Sequence, residues 1–206
     1  MSEGTLFPMA VKLCGRRCVV VGGGKVAAAK VKALLACGAR VTVVSPEAGS
    51  EIRSQAAKGK LDWGRRAFSP PDLAGAFLAI AATNSPALNA TIFRLCQARK
   101  VLCNSADDPV HCDFFFPAVV RRGPLLIAVS TSGRSPALAA RLRRELAQRF
   151  GSEWAGFVER VGEQRQEILR TARGARRKKL LKQIALPSGS PPAKPTGKTQ
   201  KTKSRS

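Results

Sequence analysis

Apolar residues in this chain fall into short continuous runs separated by stretches of helical spacing. Cys18–Val21 contains no polar member, the pattern of a strand covered on both faces. Beyond Gly22-Gly23-Gly24, the residues Val26, Ala27, Val31, Leu34 and Leu35 recur at three- and four-residue intervals. That spacing predicts a helix over Val26–Cys37, with Lys30 the one polar residue on its apolar side. Gly38 stops the helix and Arg40–Val44 reads as the next strand. The rhythm then repeats: a helix over Ser50–Lys58, a short strand at Leu61–Arg66, a buried strand at Phe77–Ala82, a helix over Ala87–Arg99 and a strand at Val101–Ala106. Strands and helices alternating in this way predict an α/β fold with a parallel, doubly wound sheet.

After Asp107 the pattern changes. Phe115–Val120 and Leu125–Thr131 are apolar runs joined by Arg121-Arg122-Gly123-Pro124, which predicts a hairpin leaning on another surface. Ser135-Pro136 supplies an N-cap and a first-turn proline for a helix to about Phe150. A second amphipathic helix follows, with Trp154, Phe157, Val158, Val161, Ile168 and Leu169 on one side. From Pro187 onward the chain is Pro, Ser, Thr, Gly and Lys, a composition that predicts disorder. The expected organisation is a dinucleotide-binding domain over 1–112, a hairpin plus helical region over 113–185, and a disordered basic tail over 186–206.

No apolar run approaches the ~18–20 residues of a membrane helix. Met1–Met9 lacks the basic and apolar regions of a signal peptide, so the expected location is the cytoplasm. The six cysteines show neither a CxxC pair nor zinc-like spacing, and no metal site is expected. Cys18, Cys37, Cys96 and Cys103 sit in apolar runs, where a thiol acts as a small hydrophobe. The net charge is +23, and eleven of the 36 basic residues lie between Thr171 and Ser206, where there is no acid. The remainder is still basic, which favours anionic ligands such as polycarboxylates, phosphates or nucleic acid.

Three motifs carry chemistry. Gly22-Gly23-Gly24-Lys25-Val26-Ala27 is a G-x-G-x-x-A turn that follows a buried strand and opens a helix. This is the Rossmann-type context in which backbone approaches a dinucleotide pyrophosphate at a helix N-terminus. No acid stands at the end of the second strand. Glu47, after Ser45-Pro46, lies about 20 residues past the glycines, at the distance of the usual ribose-binding acid, and NAD is preferred over NADP. In the second motif, Asn104-Ser105-Ala106-Asp107-Asp108-Pro109 leaves the sheet at a strand's carboxyl end, where open α/β sheets bind ligands. A carboxyl group there can act as general acid or base; an Asp-Asp-Pro turn explains the same residues. The third, Ser130–Pro136, is hydroxyl-rich and basic at a helix start, an anion site or a plain cap.

Taken in order, VVVGGGKVAAAK, GARVTVVSPE, AIAATN followed by Asn89, CNSADDP, DFFFPAVVRRGPLLIAVST and SGRSPALAARLRRELA resemble the siroheme synthase amino-terminal module in its stand-alone form. That family is precorrin-2 dehydrogenase, in some members also sirohydrochlorin ferrochelatase. The resemblance spans roughly Leu6 to Phe150. It implies NAD-dependent oxidation of precorrin-2 to sirohydrochlorin, with Fe2+ a further co-substrate if chelation occurs. It also implies a homodimer formed through the region after Asp107, and a separate protein that makes precorrin-2.

Carried over by position, the essential aspartate is Asp107. Cofactor contacts fall on Gly22, Gly23, Gly24, Lys25, Val26, Pro46 and Glu47, with Thr83 and Asn104 at strand ends. A serine that is phosphorylated in some relatives aligns with Thr131. The substrate is a polycarboxylate tetrapyrrole, so Arg121, Arg122, Thr131 and Arg134, together with Arg141, are candidates for binding its carboxylates; a solvated basic face is the plain alternative. His111, the one histidine, is read as structural. Two rivals stand beside this reading. One is an NAD-responsive regulator that places Arg176-Arg177-Lys178-Lys179 on nucleic acid, although no helix-turn-helix pattern or interleaved aromatics support it. The other is a chelatase that keeps its dinucleotide site only as scaffold.

Overall fold

The computed structural model of the chain describes residues 5–184, which divide into two compact units between Phe116 and Pro117. The first unit runs β1 (Arg17–Val21), α1 (Lys25–Leu35), β2 (Arg40–Val44), α2 (Ser50–Ala57), β3 (Asp62–Gly64), β4 (Leu78–Ala81), α3 (Pro86–Ala98) and β5 (Leu102–Ser105). All five strands are parallel, in the order β3-β2-β1-β4-β5. Alternate residues of each strand face opposite layers. Cys18, Val20, Val43 and Ile80 pack under Ala27, Val31 and Leu34 of α1 and Ile52 of α2. Val19, Val21, Ala79, Ala81 and Cys103 pack under Ile92 and Cys96 of α3. Covering both faces is what requires strands as apolar as Cys18–Val21. Each fully buried aliphatic side chain contributes about 1.5–3 kcal/mol.

The first unit extends through Phe116 rather than stopping at 112. Phe114 and Phe116 pack against the α1 layer. The Asp113 carboxylate accepts the Cys103 amide at 2.8 Å and the Gln97 side-chain amide at 2.9 and 2.8 Å. The run beginning at Phe115 is therefore divided: Phe115 and Phe116 end the first unit, and the next strand starts at Ala118.

The second unit consists of an antiparallel hairpin, β6 (Ala118–Arg122) and β7 (Leu125–Val129), followed by α4 (Pro136–Arg149), α5 (Glu153–Thr171) and α6 (Gly174–Gln183). The turn is Gly123-Pro124. Gly123 has φ 52° and a β-carbon there would lie 3.1 Å from the Ala155 methyl of α5, so glycine meets two demands at once. The Ser135 hydroxyl caps α4 by accepting the Leu138 amide at 3.2 Å. α6 is an addition to the predicted elements. The tail expected to be disordered from Pro187 lies outside the described residues. Among those residues no helix is long and apolar enough to cross a membrane, and all six cysteines are free thiols, with Cys18, Cys96 and Cys103 buried.

Candidate active site

A parallel sheet delivers the carboxyl ends of its strands to one edge. In this sheet the strand order reverses between β1 and β4, the place where a crevice opens above such an edge. The glycine turn stands there. Gly22 has φ 119°, and a β-carbon on it would lie 2.1 Å from the Ala82 carbonyl oxygen. A β-carbon on Gly23 would lie 2.0 Å from the Glu47 carbonyl oxygen, whereas one on Gly24 would meet nothing within 4 Å. Gly22 and Gly23 are thus required by the protein's own packing, and Gly24 keeps a space clear. α1 starts beside that space with no side-chain cap and no acid in its first turn. Its leading amides and the positive end of its dipole therefore face outward, with exposed Lys25 and Val26 alongside. An uncapped helix start beside an open glycine fits a dinucleotide pyrophosphate.

The loop after β2 folds back onto this turn. The Gly49 amide donates to the Gly23 carbonyl at 2.9 Å, bringing the exposed Glu47 beside the glycines despite its late place in the sequence. The Trp63 indole N–H donates to the Ser45 carbonyl at 3.1 Å and its hydroxyl at 3.3 Å, fixing the residue ahead of Pro46. Arg65 stacks over the same indole, 4.5 Å from the ring centre.

At the end of β4, Thr83 is gripped by Asn89. The buried Asn89 accepts the Thr83 amide at 3.2 Å and hydroxyl at 2.7 Å, and donates to the Thr83 carbonyl at 3.2 Å. In the sequence Asn89 stands out only as the residue that follows the AIAATN block. Its position four residues into a helix capped by Ser85 was the available signal.

At the end of β5 the buried Asn104 faces inward. Its side-chain amide donates to the Phe114 carbonyl at 2.8 Å and to Cys112 Sγ at 3.3 Å. Asn104 therefore holds the loop that follows. Asp107, exposed at φ 60°, sits at the tip of that loop in the left-handed region that aspartate tolerates better than most residues. Asp108 is engaged by a neighbour: its Oδ2 is 2.5 Å from His111 Nδ1, and this hydrogen bond holds the Asp108 carboxyl below its ordinary value. Lys30 reaches this region from α1, with its Nζ 3.8 Å from the Phe116 ring centre. Burial pushes its ammonium down, and the nearby Cys112 and Asp107 push it back up.

In the second unit Arg121 is exposed on β6. Arg122 is engaged at all three nitrogens: Nε to the Phe150 carbonyl at 2.9 Å, Nη2 to Ala147 at 3.1 Å and Nη1 to Arg121 at 3.0 Å. It closes the carboxyl end of α4, a role not visible in the sequence. The Thr131 hydroxyl accepts the Ser135 amide at 3.0 Å, and the Arg134 amide donates to the Thr131 carbonyl at 3.0 Å. Ser132 and Gly133 between them have φ 52° and 78°. Arg141 pairs with Glu145 at 2.9 Å on an exposed face of α4. Among the described residues no cluster of three or more His, Cys, Asp or Glu could hold a metal ion.

Two family models match the chain: a putative NAD(P)-binding family over residues 9–118 and the central region of sirohaem biosynthesis proteins over residues 122–149. Siroheme synthase from Photorhabdus laumondii is 40% identical over 162 residues, covering 79% of this chain and 34% of that protein. Siroheme synthase from Nitrosococcus oceani is 41% identical over 140 residues, covering 68% of this chain and 30% of that protein. The chain thus spans about a third of the length of the curated relatives it matches. The solved structure of SirC, precorrin-2 dehydrogenase, superposes with a TM-score of 0.75 at 31% identity, covering 89% of this chain and 92% of that one.

Proposed function

The chain belongs to the family of siroheme synthase amino-terminal modules and precorrin-2 dehydrogenases, and from that premise we propose that it oxidises precorrin-2 to sirohydrochlorin with NAD+. The observation that carries this reading is the pairing, on one sheet edge, of an uncapped α1 start beside open Gly24 with an exposed carboxylate, Asp107, at the end of β5.

When bound, NAD+ supplies the acceptor for the two electrons and one hydrogen that leave the substrate. Gly24, Lys25 and Val26 receive the pyrophosphate on the α1 amides, and Pro46 and Glu47 border the adenosine ribose. Thr83, held by Asn89, and the backbone after Asn104 form the nicotinamide end. Asp107 takes the proton released from the macrocycle and passes it to solvent, so each turnover yields one proton beside the reduced cofactor. In the second unit the proposal assigns contacts with substrate carboxylates to Arg121, Thr131 and Arg134. Arg122 serves them indirectly by closing α4.

A homodimer in the cytoplasm belongs to the same proposal. Val119 and Leu126 leave apolar surface on the hairpin, at 37% and 41% exposure. Fe2+ enters the proposal as a co-substrate, because a carboxylate that removes a ring proton can also receive pyrrole protons during metal insertion. An anaerobic assay of the purified chain with precorrin-2 and NAD+, with and without Fe2+, tests both activities. Stoichiometric NADH and sirohydrochlorin are the expected products. Sirohaem from supplied sirohydrochlorin and Fe2+ without any NADH formation would leave a chelatase on a dinucleotide scaffold, and neither product would remove the reading.

A further inference from the structure

The Asp107-Asp108 pair contains two adjacent carboxylates with different surroundings. Asp107 is exposed, with its charge acting on the nearby Lys30 ammonium, whereas Asp108 is taken by His111 through both side chain and backbone. Oδ2 meets Nδ1 at 2.5 Å, and the Asp108 carbonyl accepts the His111 amide at 3.2 Å. His111 is itself fixed from α3, with its ring edge-on to Phe93 at 5.1 Å. Its neighbour Cys112 closes the same loop, its thiol within 3.2 Å of both the Ser105 and the Asp108 carbonyls. On the other side of Asp107, the Ala106 amide is tied to the Ala81 carbonyl of β4 at 2.8 Å. The left-handed residue at the loop tip is therefore bracketed by two anchors, one on β4 and one on α3.

We propose that His111 is a positioning residue: with its ring seated on Phe93 it holds the Asp108 carboxylate, and so fixes the loop that presents Asp107 and keeps Asp108 out of the chemistry. This rests on the reading of Asp107 as the proton acceptor. His111 touches no reacting atom in this scheme and acts through the backbone on either side of Asp108. A shift of the Asp107 carboxylate by about 1 Å is enough to slow a positioned proton transfer by about 100-fold.

Two substitutions separate the two halves of the clamp. His111→Asn keeps a donor near the place of Nδ1 and gives up the ring, and His111→Phe keeps the ring on Phe93 and gives up the donor. With the full-length chain, precorrin-2 and NAD+, His111→Phe and Asp108→Asn are each expected to lower kcat by about 10–100-fold while NAD+ affinity and KM hold. His111→Asn is expected to restore kcat to within a few-fold of wild type. The double variant Asp108→Asn/His111→Phe should be no slower than either single one, because both remove one interaction.

Wild-type kcat in His111→Phe overturns the proposal, as does a fall in kcat, NAD+ affinity and melting temperature that is parallel across all variants. Because His111 is the one histidine in the chain, its nitrogen NMR signals can be assigned without ambiguity. Asp108→Asn should move the Nδ1 signal, and an unmoved signal would show that no clamp exists, even if His111→Phe fails to fold. Asp107→Asn run alongside keeps the two readings apart. Full turnover in that variant removes the role of Asp107 itself, whereas the NMR result bears on the clamp alone.

Discussion

Asn89 and Thr83 are joined by three hydrogen bonds, two accepted and one donated by a side chain that is 5% exposed. One amide thus satisfies the Thr83 amide, carbonyl and hydroxyl where β4 leaves the sheet, and it does so from the first turn and a half of α3. The end of a strand is where ladder hydrogen bonds run out, so the side chain replaces the missing partners.

Replacing Asn89 with Ala leaves those groups unpaired. The expected loss is about 1–3 kcal/mol of unfolding free energy. Chemical denaturation measures it. Asn89→Asp, which can still accept from the Thr83 amide and hydroxyl, should recover part of that loss.

The glycine turn makes a sharper prediction because its members have different reasons for being glycine. Gly22→Ala drives a β-carbon into the Ala82 carbonyl at a positive φ and should destabilise the fold by more than about 1 kcal/mol. Gly24→Ala meets no protein atom within 4 Å, so its melting temperature should stay close to wild type. Its NAD+ affinity should nevertheless fall by at least about tenfold, about 1.4 kcal/mol, if that space receives the pyrophosphate. Calorimetric melting and NAD+ titration on the same two proteins check both halves.

Acid should loosen the first unit through Asp72. Its carboxylate accepts Arg66 Nη1 at 2.8 Å and the Ser69 amide at 2.8 Å, and the Arg66 hydrogen bond above all brings it from 3.8 to about 2. The folded protein therefore binds this proton more weakly than the unfolded chain does. The stabilisation is complete above pH 4 and is lost as pH falls from about 4 toward about 2. Stability measured across that window should drop less steeply in Asp72→Asn than in wild type.

Local pattern made much of this molecule readable in advance. β2 lies at Arg40–Val44, the predicted bounds, because alternating strand residues there follow a glycine stop. α3 begins at Pro86, one residue before its predicted start, because Ser85-Pro86 is itself a cap and first-turn pair. What failed to show were partnerships made by the chain returning on itself. Phe115–Val120 reads as one arm of a hairpin, yet Phe116, together with Phe114, packs on the α1 layer. Arg122 reads as a candidate for binding substrate carboxylates, yet its guanidinium closes α4, twenty-five and twenty-eight residues away. α6 went unseen because GARRKKLLKQ offers only Leu180 and Leu181 as an apolar pair, too few for a periodic signal. At the candidate site the glycines announced themselves. The choice between Asp107 and Asp108 did not, since it depends on the turn that brings His111 back onto one of them.

Asp107→Asn is the most direct measurement. The substitution changes an exposed loop carboxylate to its amide, so the fold and NAD+ binding should persist. Under anaerobic conditions with saturating precorrin-2, NADH formation should slow by about 10²–10⁴-fold, the loss typical of a missing general base, with an unchanged NAD+ dissociation constant. NADH formation at the wild-type rate would contradict the account.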